Sequence, residues 1–184
     1  NLHHSTTNYI EAHTCYSEAL QIYRQMTAIN AQAFLPSVAM TLNNLANLHS
    51  ERNNYTEARR CYDEALQIYR QFAEANPHSF LLNVAKTLNN LGELHRETTN
   101  YSEAYKYFDE ALQIYHQSAE DNPQAFLENL AITLHNLGEL HRDATNYSEA
   151  HRYYNEALQI RSQLAEINPQ AFLPNVAITL NSIG

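Results

Sequence analysis

Between Pro36 and Ser50 the apolar residues Val38, Ala39, Leu42, Leu45, Ala46 and Leu48 recur at steps of three and four, with polar residues between them. That spacing lays one buried stripe along a helix. Pro36, like Pro174 later in the chain, suits a first helical turn, where a missing amide donor costs little, so this first helix is predicted to start near the prolines. A polar run ending in Asn54-Tyr55 follows, and then a second stripe: Tyr55, Ala58, Tyr62, Ala65, Leu66, Tyr69, Phe72 and Ala73. Glu57 stands three residues after Asn54, the pattern of a reciprocal N-terminal cap, and the same pair recurs at Asn8/Glu11, Asn100/Glu103 and Asn146/Glu149. Asn-Pro at 76–77, 122–123 and 168–169 closes the second helix after about 20 residues, because proline steers the residue before it away from the helical region. Asn30-Ala31 replaces that pair in the first copy, which predicts a looser corner there.

The pattern repeats. Thr87 to Leu112 (TLNNLGELHRETTNYSEAYKYFDEAL) matches Thr41 to Leu66 and Thr133 to Leu158, a period of 46 residues also marked by Phe34, Phe80, Phe126 and Phe172. One helix pair cannot bury its own apolar face, so successive pairs must stack, which predicts an all-α fold, an α-solenoid of antiparallel helix pairs over residues 1–184. The units are expected at 1–34 (partial), 35–80, 81–126 and 127–172, with 173–184 opening a fifth first helix. The chain spans an integral four periods, begins without Met, and joins its own start in register. It is expected to be an excerpt of a longer array or, failing that, to pair its half-repeats between molecules. Gly92, Gly138 and Gly184 share one position, which Ala46 fills in the second unit. Glycine inside a helix costs about 0.5–1 kcal/mol relative to alanine, so the position implies close helix approach. The facing small surface is expected from Ala58, Ala104 and Ala150 with Ala65, Ala111 and Ala157.

Net charge is −9 and lysine is confined to Lys86 and Lys106, so the field repels a nucleic-acid backbone. Cys15 and Cys61 lie one period apart, and stacked equivalents sit roughly 10 Å from each other, beyond disulfide reach. Both are read as free, packing thiols of a reducing compartment. No apolar run reaches the ~20 residues of a membrane helix, and no signal peptide is apparent, so the expectation is a cytoplasmic protein without a membrane partner.

Leu91, Gly92, His95, Tyr101, Ala104, Phe108 and Ala111, with their counterparts in the other units, resemble the tetratricopeptide repeat. The usual unit of that family has about 34 residues; this one is longer by about twelve, expected to extend the second helix and the corner. The long form is similar to the repeats of kinesin light chains and of large prokaryotic regulatory proteins, some of which join such arrays to protease or nucleotide-binding domains. The resemblance implies a right-handed superhelix whose concave wall is lined by the first helices. Its candidate peptide-binding residues here are Asn43, Asn44, Asn47, Ser50, Asn89, Asn90, Glu93, Arg96, His135, Asn136, Glu139 and Arg142. Amide side chains both donate and accept, which suits an extended peptide backbone; equally, they could satisfy helix ends or neighbouring repeats. Some members hold chaperone C-termini with a clamp of lysine, asparagine and arginine. Asn47 and Asn90 match its amides, but Asn43, Ile132 and Asn136 occupy the places of its cations, so the resemblance does not extend to that ligand.

Ten histidines invite a metal reading. His49, His95 and His141 share one position where the family commonly has tyrosine, and read as half-buried packing residues. His135 with Glu139, and the adjacent His3-His4, do not make the closed ligand set of a structural zinc site. No phosphate loop, nucleophile elbow or cysteine–histidine pairing is present, so neither catalysis nor a cofactor is expected. Tyr16, Tyr62, Phe108 and Tyr154 fall on the buried stripe, whereas Tyr105, Tyr107 and Tyr153 are candidates for the surface. The expected function is a non-catalytic scaffold that holds a peptide or helix of a partner protein. The alternatives are head-to-tail self-association through the split terminal repeat, and the sensor arm of a larger enzyme or signalling protein.

Overall fold

A computed structural model describes the backbone of residues 2–119 and 123–184, with side chains over 9–118 and 126–184. It contains eight helices and no strand among the described residues: α1 (Leu2–Thr27), α2 (Ala31–Ser50), α3 (Tyr55–Ala75), α4 (Pro77–Glu97), α5 (Tyr101–Ala119), α6 (Pro123–Asp143), α7 (Tyr147–Ile167) and α8 (Pro169–Ile183). The chain is an all-α solenoid of helix pairs. Connections too short to cross a helix length force paired helices to run antiparallel. In the first unit α2 packs against α1 and α3; in the second α6 packs against α5 and α7, and α8 against α7.

Two compact units divide the chain, Asn1–Leu94 and His95–Gly184. In the first, Val38, Ala39, Leu42 and Leu45 of α2 are buried with Ala58, Tyr62, Ala65 and Tyr69 of α3 and with Val84, Leu88 and Leu91 of α4. The second buries Phe108 and Tyr115 of α5, Leu130, Leu134 and Leu137 of α6, and Tyr154 and Leu164 of α7.

Helix boundaries correct the sequence reading in three places. First, α2 and α8 begin at Ala31 and Pro169, and Pro36 and Pro174 lie inside them. The corner asparagines start these helices: the side-chain oxygens of Asn30, Asn76 and Asn168 accept from the amides of Ala33, Ser79 and Ala171 at 3.1, 3.3 and 3.3 Å. A corner is then a single residue at Asn76 and Asn168, so the added length of the repeat lies in the helices rather than the corner. At Asn30, without proline, α1 stops at Thr27 and the corner takes three residues, the looser junction expected there.

Second, the turns between paired helices are closed from the other side. Asn54, Asn100 and Asn146 donate their backbone amides to the carbonyls of His49, His95 and His141 at 2.9, 2.8 and 2.7 Å. The preceding Asn53, Thr99 and Thr145 adopt φ of 58°, 59° and 60°. This six-to-one bond with a left-handed residue before it is a Schellman C-cap. Asn146 Oδ1 does accept from the Glu149 amide at 3.5 Å, the asparagine half of the predicted cap. With the asparagine backbone amide already donated, however, the glutamate half is lost, and Glu57, Glu103 and Glu149 instead bind Arg60, Lys106 and Arg152.

Third, α1 runs unbroken through Asn8, where a turn was predicted. The cap at Asn8, the His3-His4 pair and Asn122 lie outside the described side chains.

The small position behaves differently from expectation. A Cβ on Gly138 would lie 2.4 Å from Cε1 and 2.5 Å from Cδ1 of Tyr154, so the surface facing it is a tyrosine ring, not the alanine row. Of the residues at the ends of the chain, Leu180 is 52% exposed, unlike its buried counterparts Leu42, Leu88 and Leu134. Tyr16, Ala19, Tyr23, Val176 and Ile183 are half-buried.

Candidate functional site

The polar faces of α2 and α4 carry the first-unit candidates. Their helices bury Leu42, Leu45, Leu88 and Leu91, and helical spacing turns the intervening Asn43, Asn44, Asn47, Ser50, Asn89, Asn90 and Glu93 away from the core. All are half-buried except Asn47, which is exposed. They are tied to one another and to the core. The Asn43 amide donates to Thr87 Oγ1 at 2.9 Å, and Thr87 itself donates to the Asn83 carbonyl at 2.8 Å. Asn47 Oδ1 accepts both from the Tyr62 hydroxyl and from the Asn90 amide, the latter at 3.3 Å. The amide row is therefore partly spent on its own neighbours. Asn43 keeps a buried Oδ1 with no donor among the described residues.

The second unit holds Arg96 at the end of α4 and His135, Asn136, Glu139 and Arg142 on α6. Arg96 donates to Asp143 at 2.5 Å, and its side chain is four-fifths buried. Glu139 accepts from Arg142 Nη1 at 2.9 Å and from the Tyr154 hydroxyl at 2.7 Å, with His135 Nε2 3.8 Å away. Burial, reinforced by Glu139, pushes the Tyr154 hydroxyl well above its ordinary range, so it stays a donor. The network gathers two guanidiniums and two carboxylates on one polar surface. Chemically it can pair with charged or amide groups; no nucleophile–base pair is formed by it. Among the described residues no cluster of histidine, cysteine or acid suits a metal ion.

Sequence profiles of the tetratricopeptide repeat match residues 83–163 and 38–72. The chain belongs to the tetratricopeptide repeat family. Such repeats generally mediate protein–protein interaction and are typically non-catalytic. Two solved structures share the fold. The N-terminal domain of stress-induced protein-1 (STI-1) from C. elegans is 15% identical with a TM-score of 0.52, covering 68% of this chain and 86% of that one. BtubC (BKLC) from P. vanneervenii is 16% identical with a TM-score of 0.55, covering 95% and 81%. At these identities the likeness is one of fold alone. No curated protein matches the chain, and no described helix is long and apolar enough to cross a membrane.

Within this repeat family the column of His49, His95 and His141 proves to be packing, as expected, and its partners were missed in the sequence. His95 stacks on Tyr107 with centroids 5.3 Å apart and planes at 23°, and His141 stacks on Tyr153 at 5.3 Å and 17°. Tyr153, expected at the surface, is therefore buried, while Tyr105 is exposed and Tyr107 half-buried. In the first unit the equivalent of Tyr107 and Tyr153 is Cys61, buried and free, while Cys15 is exposed. Burial raises the Cys61 thiol above its usual pKa, which keeps it a poor nucleophile. Beside it opens a cleft of about 550 Å³ lined by residues of α1, α2 and α3. Nothing in the period alone announces this cleft; the signal was the column Cys15, Cys61, Tyr107, Tyr153, small in two copies and aromatic in two.

Proposed function

We propose that this array is a non-catalytic scaffold that holds an extended segment or a helix of another protein along the polar face of its first helices, at Asn43, Asn44, Asn47, Ser50, Asn89, Asn90 and Glu93 in one unit and at Arg96, His135, Asn136, Glu139 and Arg142 in the other. The observation that carries the reading is that these polar side chains are fixed in place before any ligand arrives, Asn47 by Tyr62 and Asn90, and Arg96 by Asp143. A wall already ordered loses little side-chain entropy on binding. Membership of the tetratricopeptide repeat family supports it further. The net charge of −9 favours a neutral or basic partner segment, Arg96 and Arg142 being already paired with Asp143 and Glu139.

The test is affinity capture with the folded array immobilised beside its R96E/R142E variant, circular dichroism confirming the same helicity in both. Reversing the two cations sets glutamate against Asp143 and Glu139 and should cut recovery of the retained protein at least tenfold. Equal recovery by the two baits places the binding surface elsewhere.

A further inference from the structure

The fourth repeat shows how a tyrosine ring is held at the position that Cys61 occupies in the second. Tyr153 lies face to face with the His141 imidazole, 5.3 Å between centroids, and the Arg152 guanidinium sits over the ring with Cζ 4.0 Å from its centroid. Tyr105 meets His141 edge-on at 6.0 Å, and the hydroxyls of Tyr105 and Tyr153 are hydrogen-bonded. The ring is thus in contact with an imidazole and a guanidinium, and its hydroxyl has a polar neighbour.

Every wall of that holder except the ring recurs in the second repeat. His49 replaces His141 and Arg60 replaces Arg152, the latter held by Glu57 at 2.9 Å as Arg152 is held by Glu149 at 2.9 Å. His13 takes the place of Tyr105 and meets His49 edge-on at 5.4 Å. In place of the tyrosine there is a cysteine, with Arg60 Nη2 3.9 Å from its sulfur. The cleft of about 550 Å³ opens where the ring would be, and His49, Arg60, Cys61 and His13 all line it. His49 is only 9% exposed, and its Nδ1, like Nε2 of His141, finds no hydrogen-bond partner among the described residues. A buried polar ring beside an unfilled cleft is unusual unless something completes it.

We propose that this cleft is a binding slot for a planar phenolic ring, seated between the His49 imidazole and the Arg60 guanidinium with its hydroxyl toward His13. Stacking on an aromatic face and attraction to a guanidinium reward a flat π-system over a saturated ring of equal size. Gln21 and Ser17 at the rim add polar groups that can orient a substituent. The ring could be a free phenol or a tyrosine side chain borne by a partner, and the slot reads the same chemistry in either. None of its residues belongs to the polar wall of the groove, so the two readings stand or fall separately.

The experiment titrates p-cresol into the 184-residue protein and follows the imidazole ¹H–¹³C signals of His49, assigned by their loss in H49Q. A saturable upfield shift at His49 is expected, retained in C61A, in which the slot stays open. In C61Y, and in C61F as a second filler, the shift should already be present without ligand and the titration should weaken at least tenfold. These fillers restore what the third and fourth repeats already contain, so folding is expected, and circular dichroism checks it. Cyclohexanol should bind at least tenfold more weakly than p-cresol. No saturable shift in the unmodified protein, an unchanged titration in folded C61Y or C61F, or equal binding of cyclohexanol overturns the proposal. A parallel titration with acetyl-Gly-Tyr-Gly-amide identifies the source. Binding tenfold tighter than p-cresol supports a ring carried by a partner chain, and binding no tighter supports a free phenol.

Discussion

At the scale of single residues, the turns store strain that the sequence does not advertise. Thr99 and Thr145 adopt φ near +60° at the C-caps of α4 and α6, a region that L-residues enter at a cost and β-branched ones most of all. Asn53 occupies the same position in the second repeat and is far better suited, since asparagine tolerates the left-handed region. The threonines persist because the Schellman bonds into His95 and His141 leave the backbone no choice. Relief at either should appear directly in stability. Thr99→Asn and Thr145→Asn are each expected to stabilise the protein by about 0.5–1 kcal/mol, read as a higher urea midpoint with unchanged slope. Glycine should gain less, because it also frees the unfolded chain. A lower midpoint for both asparagine variants would mean the threonines make contacts worth more than the strain.

Within the helices, one buried position of the second-helix stripe is Tyr69 in α3, Tyr115 in α5 and Arg161 in α7. Tyr69 hydrogen-bonds to Asn43 and Asn83, whereas Arg161 donates to the Asn175 carbonyl at 3.1 Å and to Thr179 Oγ1 at 2.5 Å. Asn175 is the repeat equivalent of Asn83, so the arginine has inherited the tyrosine's surroundings. Its charge sits 7% exposed between neutral acceptors, and burial lowers its pKa, with Glu128 acting weakly against that. A desolvated cation without a bonded carboxylate is a poor core residue. Arg161→Tyr is therefore expected to raise stability by about 1–2 kcal/mol, measured by chemical denaturation; a loss would show that the guanidinium bonds outweigh desolvation. The same comparison across repeats explains what could be read beforehand. Helix identity and period were legible because apolar spacing and the recurring Asn-Tyr pairs all agree. The starts of α2 and α8 were not, because Pro36 and Pro174 mimic a first turn while the capping is done six residues earlier by Asn30 and Asn168. The site was half legible. The polar wall follows from helix geometry, but its internal bonds, and the slot at Cys61, depend on which side chains meet across helices, which a period does not encode.

For the molecule as a whole, the histidine column sets how acid acts on it. His49 in one unit and His141 in the other both have pKa values below the ordinary 6.5. Burial is the main cause in each; the charges of His13 and Arg60 add to it at His49 and that of Arg152 at His141, while Glu57 and Glu149 oppose. A histidine that is harder to protonate when folded leaves the native state with fewer bound protons than the unfolded chain between 6.5 and its lowered value. Stability is then whole above pH 6.5 and is lost as pH falls through the native pKa values. Because repeat arrays gain stability from local terms and their neighbours' interfaces, one such histidine in each unit weakens both together. The urea midpoint is expected to fall between pH 7.5 and pH 5, and H49Q/H141Q, whose amides do not titrate, should show a clearly smaller fall. The single variant H49Q relieves only the first unit, so in acid its unfolding should broaden or split into two steps while remaining one step at pH 7.5. An identical fall in midpoint for the double variant would move the acid sensitivity to other groups and remove the histidine column from the account.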